Sequence, residues 1–156
     1  MLSLVWPLVI GTTVVLYVGI LLALPFNPVL AAMLLLTLIG FWSRLPGIGM
    51  HSPLYFLYLI DFVDIFTILI AINVGIKEAI IFSVFVNMWS RLCGIFPMWP
   101  AVIKDSIATG IAAILTPFLY AFSGGDLGIT VVLFTIVRAL MFIPMRIVPF
   151  GPWSQF

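Results

Sequence analysis

The chain has 156 residues, of which 65% are hydrophobic and 7% are charged, and its formal net charge is +1. Soluble domains carry about 25% charged residues because water must solvate their surface. This composition therefore excludes an ordinary soluble domain and predicts that lipid is the main solvent. No basic patch or interleaved aromatic surface indicates a nucleic acid partner. The single cysteine excludes an internal disulfide and a cysteine-based metal cluster.

Turn-forming residues divide the chain into six apolar segments of roughly 20 residues, the length that crosses about 30 Å of hydrocarbon. The first segment lacks the charged start and the cleavage site of a secretory signal peptide, so we expect it to be retained. The predicted fold is all-α, a polytopic membrane protein with one domain over residues 1–156. Its six transmembrane helices are expected at 3–24, 28–46, 53–73, 78–96, 100–122 and 127–148.

Three arginines, Arg44, Arg91 and Arg138, recur 47 residues apart. Around the first two, the tetrapeptide Trp-Ser-Arg-Leu is also repeated, at 42–45 and 89–92. A fixed period of this length indicates that each unit is one supersecondary element. The alternative is convergence on an arginine followed by a proline at the same end of a helix. The repeat predicts three parallel helical hairpins, at about 3–46, 53–96 and 100–148.

The basic residues predict the orientation in the membrane. Cytoplasmic ends of membrane helices carry an excess of lysine and arginine. Only Lys77 lies at the opposite end, so we expect both termini of this multi-pass protein in the cytoplasm. The five basic residues at the predicted cytoplasmic ends are Arg44, Arg91, Lys104, Arg138 and Arg146.

Two carboxylates, Asp61 and Asp64, lie in the third predicted helix, which begins at Pro53. At 1.5 Å per residue Asp64 is expected about 16 Å deep, near the bilayer midplane, and the i, i+3 spacing places both carboxylates on one face. Charged groups at this depth must pair, take up protons or line a wet cavity. We expect Asp61 or Asp64 to pair with Arg138 or Arg91.

Other polar residues complete the predicted site. Arg44 is near the end of the second helix, so its side chain is expected to be shallower and to extend towards the headgroups. Asn87 precedes Arg91 by one turn and is placed to orient it. The candidate binding residues are therefore Asp61, Asp64, Asn87, Arg91, Arg138 and Arg44.

Polar residues near helix starts favour structural interpretations. Lys104 and Asp105 are expected to form an interfacial pair at the start of the fifth helix, where Lys104 extends to the headgroups and Asp105 favours the positive helix end. Asp126 is predicted to be the N-cap of the sixth helix. Thr67 follows Asp64 by three residues and extends its polar face.

The residues that catalysis usually needs are scarce. One histidine, His51, and one cysteine exclude the common protein-ligated haem, zinc and copper sites. No glycine-rich phosphate loop follows a strand pattern. We therefore expect a protein that is not an enzyme and that has no metal or other cofactor.

Two functions remain open. In the first, the protein is a membrane-embedded binding or transport component whose site lies among predicted helices 3, 4 and 6. There, Arg91 and Arg138 contact a small anionic solute, and Asp61 and Asp64 act as counter-charges or proton acceptors. The small six-helix layout is similar to that of the substrate-capturing membrane subunits of vitamin and metal uptake systems, a likeness of layout alone.

In the second, the protein is a non-catalytic accessory subunit of a larger membrane complex, and its ion pairs hold helices together. A polar cavity that water can reach is expected for the first function. Closed ion pairs and a broad apolar face are expected for the second. Besides the lipid bilayer, we expect other membrane subunits or further copies of the chain as partners in both cases.

Overall fold

The computed structural model describes residues 2–44, 61–93 and 99–147, and every regular element within these ranges is an α-helix. The predicted all-α class is confirmed for this part of the chain. Four of the six helices begin and end within two residues of the prediction, while the third begins nine residues later and the fourth ends at Leu92, four residues earlier than expected. The helices are α1 Leu2–Ala23, α2 Pro28–Arg44, α3 Phe62–Asn73, α4 Ile76–Leu92, α5 Trp99–Phe122 and α6 Leu127–Ile147.

Among the described residues, two helices are long and apolar enough to cross a membrane, α1 over Trp6–Ala23 and α5 over Val102–Phe122. They indicate membrane association by length and composition alone. The apolar helices α2 and α3, and the apolar part of α6 up to Met141, are shorter. With 12 residues, α3 is only about 18 Å long, less than the hydrocarbon thickness of about 30 Å.

Local signals explain where the helices begin. The side chain of Asn27 accepts a hydrogen bond from the backbone N–H of Leu30 (3.0 Å) and caps α2. Asp126 caps α6 in the same way, since its Oδ1 accepts from the backbone N–H of Ile129 (2.9 Å). The predicted N-cap at Asp126 is thereby confirmed. The preceding turn uses Gly124 (φ 69°) and Gly125 (φ 84°), because residues with a Cβ rarely adopt this left-handed conformation.

The third helix differs from the prediction. A continuous helix over 53–73 was expected, but Asp61 has non-helical backbone angles (φ −76°, ψ 83°) and α3 begins at Phe62; residues 53–60 lie outside the described ranges. Counting depth from Pro53 along one helix is therefore wrong. Measured from the other end of α3, at Asn73, Asp64 lies nine residues away, or about 14 Å. Aspartate favours helix starts, and here its carboxylate contacts arginines rather than the backbone of α3.

The helices pack as consecutive pairs around a common core. α1 lies against α2, while α4 and α5 contact each other and both contact α3. A Cβ placed on Gly40 of α2 would lie 3.5 Å from both Phe82 and Val86 of α4 and 3.7 Å from Val63 of α3. Gly40, Val63 and Val86 therefore lie at one level of the bundle, near the end where α2 ends and α3 begins.

Helix α1 is peripheral. Besides its packing on α2, two tryptophan side chains hold it. The Trp42 indole N–H donates to Thr13 Oγ1 (3.1 Å), and the Trp89 indole N–H donates to Thr12 Oγ1 (2.8 Å). Most of its apolar side chains remain exposed.

Candidate functional site

Five charged side chains from four helices form one ion network at this end of the bundle. The local structure brings the charges together, because the last turn of α2 favours a cation and the first turn of α3 favours anions. Both helix ends meet at the same level. The network consists of Arg44 of α2, Asp61 and Asp64 at the start of α3, Asp105 of α5 and Arg138 of α6.

Asp61 is held by two arginines from different helices. Arg44 Nη2 donates to both of its oxygens, at 2.9 Å to Oδ1 and 2.8 Å to Oδ2. Arg138 Nη1 donates to Oδ2 at 2.7 Å. Charge-assisted hydrogen bonds of this kind are about twice as strong as those between neutral groups. Asp61 therefore joins the end of α2 to α6 across the start of α3.

Arg138 faces all three carboxylates. Its Nη1 donates to Asp64 Oδ1 as well as to Asp61. Its Nε lies 3.5 Å from Asp105 Oδ1, and Arg44 Nη1 lies 3.6 Å from Asp105 Oδ2. Asp105 thus interacts with both guanidinium groups electrostatically, while Asp61 and Asp64 are bound by direct hydrogen bonds.

The network is closed on one side. The side chains of Arg44, Asp64 and Asp105 are 8%, 3% and 9% exposed, whereas those of Asp61 and Arg138 are 24% and 22% exposed. Removing an ion from water costs several kcal/mol, and only good geometry with further hydrogen bonds offsets that cost. The more exposed Asp61–Arg138 pair is therefore the edge at which the network can be reached.

The expected pairing of Arg138 with the carboxylates of α3 is present, but two other expectations are wrong. Arg44 is buried and bound to Asp61, not extended outwards. Lys104 and Asp105 are both buried rather than interfacial. The reason is tertiary, because the face of α5 that carries Asp105 is turned towards α2 and α6. The signal for this face was in the sequence: Asp105, Thr109 and Thr116 recur at spacings of four and seven, and all three are buried.

Asn87 of α4 is completely buried, and neither polar atom of its amide has a hydrogen-bond partner among the described residues. The side chain of Arg91 lies outside the described part of the structure, as does His51, so the role expected of Asn87 in orienting Arg91 stays a prediction. Thr67 is buried, and its hydroxyl donates to the backbone carbonyl of Val63 at 2.6 Å.

Within residues 2–44, 61–93 and 99–147, no group of three or more histidine, cysteine, aspartate or glutamate side chains is arranged to hold a metal ion. The aspartates of the network instead face arginines. The chain matches no known protein family, no curated protein and no solved structure. What the site can do must therefore be argued from its own chemistry.

Proposed function

We propose that this chain is a small multi-pass integral membrane protein that binds a small solute or ion at the level of the ion network and carries it across the bilayer. The observation that carries the proposal is a network of five charged side chains, three of them buried, inside a bundle of apolar helices. Such residues are costly in a membrane and are typical of solute and ion pathways. The edge formed by Asp61 and Arg138 is the proposed entrance.

The outer surface supports the membrane part of the proposal. An exposed apolar surface of this extent is unstable in water and needs lipid or another protein against it. The six helices then lie in the bilayer as three hairpins, with the ends that carry the arginines in the cytoplasm. On α1 and the turn after it, the exposed apolar side chains are Trp6, Leu8, Ile10, Val14, Val15, Tyr17, Val18, Leu21, Leu22, Leu24 and Phe26.

The charge balance restricts the solute. In the described part of the chain, three interior cations, Arg44, Lys104 and Arg138, accompany the three aspartates of the network. The guanidinium of Arg138 already binds carboxylates of the protein. A small anionic solute would have to replace one of them, and Asp61 is the most exposed carboxylate of the three. In the proposed anion contact, the solute therefore takes the place of Asp61 at the guanidinium of Arg138.

A second function is favoured by the closed side of the network. If the ion pairs only hold α2, α3, α5 and α6 together, the chain is a non-catalytic accessory subunit of a larger membrane complex. The apolar face of α1 would then pack against neighbouring subunits or against another copy of the chain. Buried ion pairs of this kind fix geometry more than they add stability.

One experiment separates the two functions. The full chain is purified in mild detergent, everything that stays bound is identified by native mass spectrometry, and solute uptake is measured after reconstitution into lipid vesicles. We expect the chain alone to support uptake, and Arg138→Ala to abolish it while Lys77→Ala does not. A stoichiometric set of other membrane subunits, with no uptake by the chain alone, would refute transport and support the accessory function.

A further inference from the structure

Two buried polar side chains have atoms without a hydrogen-bond partner in the described part of the chain. Asn87 of α4 is completely buried, and Ser106 of α5 is 7% exposed. No residue in the described ranges forms a hydrogen bond with Asn87 Nδ2, Asn87 Oδ1 or Ser106 Oγ. Nearly all buried side-chain polar atoms in proteins have a partner, so three such atoms require an explanation.

The other hydroxyls of the same helix face do not share this property. Ser83 and Ser90 lie one turn on either side of Asn87 and are buried as well. Ser83 donates to the backbone carbonyl of Ile80 (3.1 Å), and Ser90 donates to that of Asn87 (3.4 Å). Bonding to the own helix is the usual solution for a buried serine. Among the described side chains of this face, only Asn87 is left with an unused donor and an unused acceptor.

The packing of α4 and α5 brings the unpartnered groups to the same level. The two helices are joined by a short connection and pack against each other, so they are antiparallel. Ala79 of α4 and Ala113 of α5 belong to one core cluster. Asn87 lies eight residues beyond Ala79, and Ser106 lies seven residues before Ala113. At 1.5 Å per residue both are about 11 to 12 Å from that cluster, in the same direction.

The same level contains the ion network, because Ser106 directly follows Asp105. The network binds its own charges, since Arg138 donates to two aspartates and Arg44 donates to one of them. The groups of Asn87 and Ser106 that have no hydrogen-bond partner among the described residues are all neutral. They are one amide carbonyl, one amide NH₂ group and one hydroxyl.

We propose that Asn87 and Ser106 form a binding site for a small uncharged molecule that both donates and accepts hydrogen bonds. An amide offers one acceptor and two donor hydrogens, and a hydroxyl offers both functions, so a primary amide or a water molecule is complementary to the pair. A charged ligand would lose its hydration among the buried neighbours Val86 and Val102 without gaining a counter-charge from this pair.

Only the movement of this molecule across the bilayer rests on the proposed function. Its binding to Asn87 and Ser106 can be tested separately. Acetamide is the probe, and its binding to the full chain in detergent is followed by saturation-transfer NMR. The test variants are Asn87→Leu, which removes both amide atoms at similar size, and Ser106→Ala. The matched controls are Asn73→Leu, at an exposed asparagine bonded to its own helix, and Ser83→Ala.

We expect acetamide to bind the wild type and both controls, and Asn87→Leu to abolish the signal. Ser106→Ala should weaken binding about tenfold, the effect of losing one hydrogen-bond partner. Osmotic swelling of vesicles that contain the protein measures the flux of acetamide and of water separately. Higher water permeability that is lost in Asn87→Leu, without acetamide binding, would support the site with water as its molecule.

Other outcomes separate this inference from the proposed function. Acetamide binding that depends on Asn87, without acetamide uptake, would keep the site and argue against transport. Acetamide binding that is unchanged in Asn87→Leu would overturn the site, and solute uptake that is unchanged in the same variant would leave transport standing. If Asn87→Leu and Asn73→Leu gave the same binding and the same water flux, the inference would also be overturned.

Discussion

Replacing Arg138 tests the ion network most directly. Arg138→Ala removes the hydrogen bonds to Asp61 and Asp64 and the nearby charge at Asp105. Of the two arginines in the described network, only Arg44 then remains to balance the three carboxylates. The bundle must either hydrate this excess negative charge or separate its helices, so we expect the folded protein to become much less stable.

The magnitude follows from the burial of the partners. Breaking a buried ion pair costs about 3–5 kcal/mol because the remaining charge is left uncompensated. Arg138 is itself only 22% exposed and Asp64 is 3% exposed, so we expect about 4 kcal/mol, within that range. Asp64→Asn in the same chain removes one of the uncompensated charges. The double variant should therefore recover about 1–2 kcal/mol, as residues in one network are coupled by about 0.5–3 kcal/mol.

The free energy of unfolding is measured from helix content during denaturation in mixed micelles, for the wild type, the two single variants and the double variant. Lys77→Ala, at an exposed lysine at the start of α4, is the control for loss of a positive charge and should change stability by less than about 0.5 kcal/mol. Strictly additive losses in the double variant would refute the pairing of Arg138 with Asp64.

Three further predictions concern the ends of the bundle and its orientation. Asp126→Ala should cost about 1 kcal/mol through loss of the cap of α6, and Asp126→Asn much less; equal losses in the unfolding free energy would contradict capping. Thr12→Val should cost about 1 kcal/mol, because it removes the hydroxyl that accepts from the Trp89 indole at similar side-chain size; a smaller cost of Trp89→Phe in the Thr12→Val background than in the wild type would confirm the pair, and an equal cost would argue against it. Lys77→Cys, in a chain with Cys93→Ala, should react with a membrane-impermeant maleimide added to intact cells, and reaction only after permeabilisation would contradict the predicted orientation.

The limits of sequence reasoning are visible at particular residues. The starts of α2 and α6 were predictable because Pro28 and the Gly124-Gly125-Asp126 turn act through their own backbone and their nearest neighbours. The position of a helix terminus at such residues depends little on the rest of the fold. The start of α3 was not predictable in the same way, because Asp61 takes its partners from α2 and α6, which are distant in sequence.

The residues of the ion network also differ in how well the sequence predicted their positions. Arg138, Asp61 and Asp64 were predicted as partners because buried charges of opposite sign must meet. Arg44 was also predicted as a binding residue, but at a shallower depth, and Asp105 was assigned to the membrane surface, because depth was counted from helix ends. Counting residues gives the position of a side chain along the helix axis, but not the direction in which the side chain points. The packing of α2, α3, α5 and α6 decides whether a side chain at that position faces the interior.

One nitrogen atom, Arg138 Nη1, serves two aspartates at once. A displacement of α6 that withdraws this atom breaks its hydrogen bonds to both carboxylates, while Asp61 keeps its two hydrogen bonds to Arg44. Asp64 therefore depends on α6 for its hydrogen bond to an arginine, whereas Asp61 is held from α2 as well. Changes in the position of α6 act first on Asp64, the more deeply buried carboxylate of α3.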